Sequence, residues 1–160
     1  MKRVKLFFWV IFFQIFILNN IQFSGYINPY YYIIFILAIS NKTSKSTSLL
    51  LAFLIGFIID IFSNSYGIHS FASVLIAYLT PRWIKAVNRI KDSDEIIEIN
   101  NLSMRKFLIL SASLVLIHHF TLFLLESFSF KNMFYIIQST FISAFFTLIL
   151  LIIHKFFSAK

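Results

Sequence analysis

The chain has no cysteine, three glycines and two prolines, and only 12% of its 160 residues are charged. Without cysteine there are no disulfides, no thiolate chemistry and no cysteine-based metal site. The shortage of glycine and proline, set against 22 Phe, excludes a disordered or low-complexity chain. The shortage of charge excludes a soluble domain. Such domains carry about 25% charged residues, and so few charges cannot cover the core of a chain that is 59% hydrophobic and 19% aromatic. Lipid is the solvent that suits this composition. The length fits one integral membrane domain over residues 1–160, with no room for a large extramembrane domain. Enzyme signatures are missing too. The chain has no Gly-rich phosphate loop, no Gly-x-Ser-x-Gly elbow and no His-Glu-x-x-His. The expectation is therefore a non-enzymatic protein with no catalytic residues, metal ligands or cofactor.

What is present is a series of six apolar runs: Val4–Phe23, Ile27–Ser40, Leu49–Phe62, Gly67–Thr80, Phe107–Leu125 and Met133–Ile153. A spanning helix needs about 20 mostly apolar residues. The first and the last two runs meet that length. The middle three have cores of 14 residues and rely on flanking Ser, Thr, Asn and Tyr to reach the interface. A re-entrant hairpin over 49–80 is the competing reading. The first run, Leu6–Leu18 after Met1-Lys-Arg-Val-Lys5, has the shape of a signal peptide. Asn19-Asn20 follows in place of a small-residue cleavage site, so a retained first helix is expected.

The net charge of +8 is not spread as a nucleic-acid surface would be; it lies in short clusters between the runs. If all six runs span, Lys131 stands alone on one side. The rest of the 14 basic residues fall on the other: Lys2, Arg3 and Lys5; Lys42 and Lys45; Arg82, Lys85, Arg89, Lys91, Arg105 and Lys106; Lys155 and Lys160. This asymmetry predicts cytoplasmic termini, N-in and C-in, and the re-entrant alternative gives the same count. The one sizeable connection is Pro81–Lys106. Pro81 is expected to stop a helix, Trp83 to anchor at the interface, and Asp92, Asp94, Glu95 and Glu98 to lie in a solvated linker with a short surface helix.

Ionisable residues inside lipid are costly and mark candidate sites. Asp60 closes a stripe of four-residue steps: Ser48, Ala52, Gly56 and Asp60. These share a helix face whose small side chains permit close approach of a second helix. The next run offers Ser70, Ser73, Ala77 and Thr80, and Ser63-Asn-Ser-Tyr-Gly67 joins the two as a tight turn. Asp60 is expected to hold this hairpin by accepting hydrogen bonds from Ser63, Asn64 or backbone N–H groups beyond it. His69, nine residues on, reads as a hydrogen-bonded interfacial histidine; one His and one Asp make no zinc site. In the fifth run His118 shares a face with Ser111 and Leu122, and Glu126 lies two turns away, too far for a direct bond to either His118 or His119. Ser139, Ser143 and Thr147 form a packing seam on the sixth.

The stretch Leu-Ile-Gly56-Phe-Ile-Ile-Asp60-Ile-Phe-Ser-Asn-Ser-Tyr-Gly67-Ile-His-Ser-Phe-Ala72, continued by Tyr78-Leu-Thr-Pro81-Arg82, resembles the rod shape-determining MreD family. The likeness covers about a fifth of the chain, and length and topology agree over the remainder. The Phe- and Asn-rich character is similar to that of a Bacteroidetes-type member. The resemblance implies an all-α bundle of six transmembrane helices in the bacterial inner membrane, similar to the substrate-binding subunit of energy-coupling-factor transporters. It implies a scaffold subunit of the elongasome, binding an MreC-like single-pass protein in the bilayer. Through it the chain would act with RodA and a class B penicillin-binding transpeptidase, and indirectly with MreB, in lateral peptidoglycan synthesis and rod shape.

On this reading Gly56, Asp60, Gly67, Ala52, Ser70 and Ser73 carry helix packing and partner binding. Interhelical hydrogen bonds in membranes contribute about 0.6 kcal/mol each, so specificity would rest mainly on fit. The alternative is a small-solute-binding subunit of a vitamin-type transporter, with His69, His118, Gln138 and Tyr135 converging on an externally open pocket. A lipid-headgroup enzyme is a third reading, without a nucleophile or metal constellation to support it.

Overall fold

The computed structural model describes residues 2–20, 27–40, 43–88, 99–128 and 130–158. The described residues form an all-helical bundle without strands: α1 (Lys2–Phe16), α2 (Ile33–Ile39), α3 (Lys45–Ser63), α4 (Ile68–Asn88), α5 (Met104–Ser127) and α6 (Met133–Ser158), with short 3-10 turns at Leu18–Asn20, Ile99–Asn101 and Phe130–Asn132. Four segments are long and apolar enough to cross a bilayer: Arg3–Asn20, Lys45–Ser63, Met104–Ser127 and Met133–Ser158. These make the chain a membrane protein. Successive helices reverse direction, which gathers Lys45, Arg82, Lys85, Arg105, Lys106 and Lys155 at one end of the bundle. Asp60, Glu126 and Lys131 lie at the other.

The bundle is built from small and polar side chains inside and large apolar ones outside. Ser48, Asp60, His69, Ser70, Ser73, Thr80, Ser111, His118, His119, Ser143 and Thr147 are buried, whereas Phe8, Phe12, Phe16, Phe53, Phe57, Phe141, Phe145 and Phe156 are exposed. In lipid there is no hydrophobic drive to bury Phe, so close backbone approach and internal hydrogen bonds select what faces inward. The α3–α4 pair follows this rule most closely. Ser48, Ala52, Gly56 and Asp60 are all buried on α3, facing His69, Ser70, Ser73, Ala77 and Thr80 on α4. A methyl group placed on Gly56 would lie 2.5 Å from Ser70 Cα and 2.7 Å from His69 O. No side chain fits there. Gly67 has open space around it and is needed for its backbone instead, at φ +91°.

Two expectations are corrected. The run Ile27–Ser40 is not one helix: only Ile33–Ile39 is α-helical, a turn at Tyr31–Tyr32 leads into it, and the chain from Ile27 to Tyr30 is unwound. Pro29 lies in that stretch, and it lacks the N–H that a helix would need. Second, Pro81 does not stop α4, which runs on to Asn88. Proline removes one rung of the helical ladder, the bond to Ala77 O, but Ala77, Thr80 and Ile84 on either side of it are buried in the core and carry the helix past the break. Packing against neighbouring helices commonly makes proline tolerable in membrane helices. The helices also outrun the expected cores, α3 having 19 residues and α4 having 21. Asp92, Asp94, Glu95 and Glu98 lie outside the described residues.

The two glycines should respond differently. Gly67→Asn is expected to be milder than Gly67→Ala, which should cost about 1 kcal/mol, because Asn tolerates positive φ where Ala does not. At Gly56, Ala and Asn should both destabilise by about 1–3 kcal/mol, because neither fits. Thermal unfolding of the purified variants in detergent measures the contrast.

Candidate functional site

The α3–α4 turn is organised around one carboxylate. α3 ends at Asn64 in the left-handed conformation (φ 54°), and Tyr66 (φ 52°) and Gly67 continue the positive-φ turn. The turn brings the first N–H groups of α4 over Asp60. Its Oδ1 accepts from His69 N–H (2.9 Å) and Ser65 Oγ (2.6 Å). Its Oδ2 accepts from Ser70 N–H (2.9 Å) and Ser70 Oγ (2.6 Å). An Asp on one helix thus caps the N-terminus of the next, where free N–H groups and the helix dipole favour negative charge. Asp60 holds the hairpin through backbone N–H groups beyond it, as expected, with the Ser65 and Ser70 hydroxyls in place of Ser63 and Asn64. Ser63 instead accepts from Asn19 Nδ2 at 3.1 Å, tying the turn to the end of α1.

A second constellation surrounds the unwound segment before α2. Non-helical backbone inside a membrane protein must have its polar groups satisfied by protein. Here Asn28 N–H donates to Ser143 Oγ (3.0 Å), Tyr30 N–H to Thr147 Oγ1 (2.9 Å) and Tyr31 N–H to Gln14 Oε1 (2.9 Å). Pro29 has no N–H, and its carbonyl accepts from Gln14 Nε2 at 3.1 Å. The Gln14 amide therefore pairs with the segment as another backbone peptide would. Thr147 Oγ1 lies 3.1 Å from His119 Nε2, and His119 Nδ1 lies 2.9 Å from Val115 O. Since a carbonyl only accepts, Nδ1 carries the proton and Nε2 accepts from Thr147. The bonds thus run in one direction, from Tyr30 N–H through Thr147 to His119.

Three buried tyrosines follow. The Tyr30 ring is enclosed by His69, His118 and His119, with centroid separations of 5.0, 5.6 and 5.0 Å. Tyr32 Oη lies 3.0 Å from His69 Nδ1 and 2.7 Å from His118 Nε2. One hydroxyl proton cannot serve both, so one imidazole donates to Tyr32 and the other accepts from it. His118 Nδ1 has no partner, and a bare lone pair is the less costly orphan there. This favours His118 Nε2–H donating to Tyr32 and Tyr32 donating to His69. Tyr31 Oη meets His154 Nδ1 at 2.6 Å.

A cavity of about 320 Å³ opens beside these groups at the Asp60 end of the bundle, with Gln14, Asn19, Asn28, Tyr30, His69 and Glu126 in its wall. The sequence-predicted residues divide accordingly. Ala52, Gly56, Asp60, Ser70 and Ser73 line one buried seam, Gly67 forms its turn, and His69 and His118 meet through Tyr32. Gln138 and Tyr135 do not join them; both are exposed on α6. The residue after Gln138, Ser139, is the one that faces inward. Gln14 and Tyr30 to Tyr32 were not anticipated. Gln14 is the one polar side chain within Val4–Leu18 apart from Lys5, and Pro29 marks the break. Among the described residues, no three His, Cys, Asp or Glu side chains are placed to hold a metal ion.

No family model, curated protein or solved structure matches this chain.

Thr147→Val should strand the Tyr30 N–H and the His119 acceptor together, lowering stability by about 1–3 kcal/mol, whereas Thr147→Ser should stay close to wild type. Chemical unfolding followed by Trp fluorescence reads both.

Proposed function

We propose that this chain is a non-enzymatic membrane scaffold of the MreD type, a subunit of the elongasome in the bacterial inner membrane. It would bind an MreC-like single-pass protein and, with RodA, a class B transpeptidase and indirectly MreB, support lateral peptidoglycan synthesis. The observation that carries this reading is the saturation of Asp60. Both carboxylate oxygens are taken up by two bonds each within the α3–α4 hairpin. The most conspicuous ionisable group in the MreD-like stretch thus serves packing, which supports a structural task for that stretch.

The outer face of the same hairpin supports a partner helix. A groove of about 640 Å³ runs between α3 and α4, walled by Phe53, Phe57, Ile61, Tyr66, Phe71 and Val74. Tyr66 is 93% exposed at its end, and the Phe53 and Phe57 rings are stacked. An apolar helix inserted there would gain van der Waals contact with these exposed side chains.

Six crossings with N-in, C-in topology complete the proposal. α4, at 21 residues, has a length of about 31 Å, enough for a bilayer. Residues 27–30, extended at about 3.3 Å each, followed by the turn and helix over 31–39 at about 1.5 Å each, together reach about 27 Å. The likeness to energy-coupling-factor substrate subunits belongs to this proposal. So does the second reading, a small-solute-binding transport subunit, which the polar cavity at the Asp60 end favours.

Affinity purification from native membranes tests the scaffold. An MreC-like protein should co-purify with wild type and be lost with Phe57→Ala/Phe71→Ala, while the unfolding temperature is kept. Absence of any wall-synthesis protein from the wild-type complex, together with a small solute retained in native mass spectrometry, would favour the transport reading instead.

A further inference from the structure

At the basic end of the bundle, a second pocket of about 390 Å³ lies between the start of α3 and the C-terminal half of α4. Its wall includes Lys45, Tyr78, Arg82 and Lys85. Tyr78, Arg82 and Lys85 are spaced i, i+4 and i+7, so they share one face of α4. Lys45 reaches the same place from the first turn of α3. Lys45 Nζ lies 4.8 Å from the Tyr78 ring centroid and Arg82 Cζ lies 4.4 Å from it. Arg82 Nη2 also donates to Tyr78 Oη at 3.1 Å. One aromatic ring thus holds two cations over itself, with a third on the same wall.

Like charges gathered this way repel unless an anion joins them. The described residues supply none: their carboxylates are Asp60 and Glu126, both at the opposite end, about 22 Å away along α3 in the case of Asp60. The N-terminal N–H groups of α3 add further positive potential. The first turn of α3 and the basic last turns of α4 lie where lipid headgroups begin, and basic pockets between membrane helices suit headgroup phosphates.

We propose that this pocket binds the phosphate of an anionic phospholipid, with Lys45, Arg82 and Lys85 as its ligands and Tyr78 holding the first two in position. Arg82 offers a planar fork that matches two phosphate oxygens, and the lysines act as point charges. The acyl chains would follow the apolar outer surfaces of α3 and α4. Two rival occupants share the chemistry: free phosphate, and the carboxylates of Asp92, Asp94, Glu95 and Glu98 in the connection after α4.

Native mass spectrometry of the full chain, released from detergent with phosphatidylglycerol or phosphatidylcholine of the same acyl composition, tests the proposal. Wild type should retain phosphatidylglycerol selectively. Lys45→Gln/Arg82→Gln/Lys85→Gln should weaken that retention more than tenfold, and the single Lys85→Gln severalfold. Lys131→Gln, at the other end, should leave it unchanged. If the triple variant does not fold, Lys85→Gln alone decides. Equal retention of the two lipids would overturn the proposal. So would displacement of the lipid by millimolar inorganic phosphate. Retention that appears only after Asp92→Asn/Asp94→Asn/Glu95→Gln/Glu98→Gln would assign the pocket to the chain's own connection, and also overturn it.

Discussion

The hairpin of α3 and α4 rests on one carboxylate bound to the start of the following helix. Asp60 is buried without a cation, an arrangement that lipid penalises heavily. The four donors on its oxygens and the N-terminal dipole of α4 offset that penalty. Those donors come within reach only because α3 and α4 touch backbone to backbone at Gly56. The glycine and the aspartate therefore act as one device, one turn apart on the same face. The positive-φ residues Asn64, Tyr66 and Gly67 complete it by folding the chain back within a few residues. The outer groove of Phe53, Phe57 and Phe71 lies between the two helices that this contact joins.

The same physical rule governs the other half of the bundle. Where the backbone leaves the helical ladder, at 28–31, each freed N–H meets a side-chain oxygen from α1 or α6. The Ser143–Thr147 seam is thus an acceptor strip for a neighbouring backbone, beyond its value as a small-residue surface. Tyr30 and Tyr32 then fill the centre, and the Tyr32 hydroxyl joins His69 and His118 in one hydrogen-bonded set. His69 links the two halves: its backbone N–H caps onto Asp60 and its ring meets Tyr32. A disturbance at the turn would therefore reach the tyrosine–histidine cluster through a single residue.

The seam of Ser48, Ala52, Gly56 and Asp60 was legible because small residues at four-residue steps point to one face, and the carboxylate stood next to an evident turn. Its side-chain partners were not. Ser65 and Ser70 displaced Ser63 and Asn64 because α3 runs on through Ser63, which carries that hydroxyl round to Asn19. The unwound segment was hidden by its own apolarity. Ile, Tyr and Phe read as a short helix, and the groups that stabilise the unwound form are 115 and 117 residues away in the chain. Pro29 was the local signal. Pro81 shows the converse: the local rule for a helix stop gave way to the burial of Thr80 and Ile84 on either side of it. Gln138 missed the cluster by one residue, about 100° of helix rotation, which suffices to move a side chain from core to lipid.

The central claim is that the Asp60 carboxylate, and not water, holds the first N–H groups of α4. Amide hydrogen exchange at His69 and Ser70, resolved by NMR in detergent micelles, measures this directly. Both amides should exchange as slowly as those in the middle of α4, and should become fast in Asp60→Ala. Exchange in the wild type at the rate of a frayed, uncapped helix start would contradict the account.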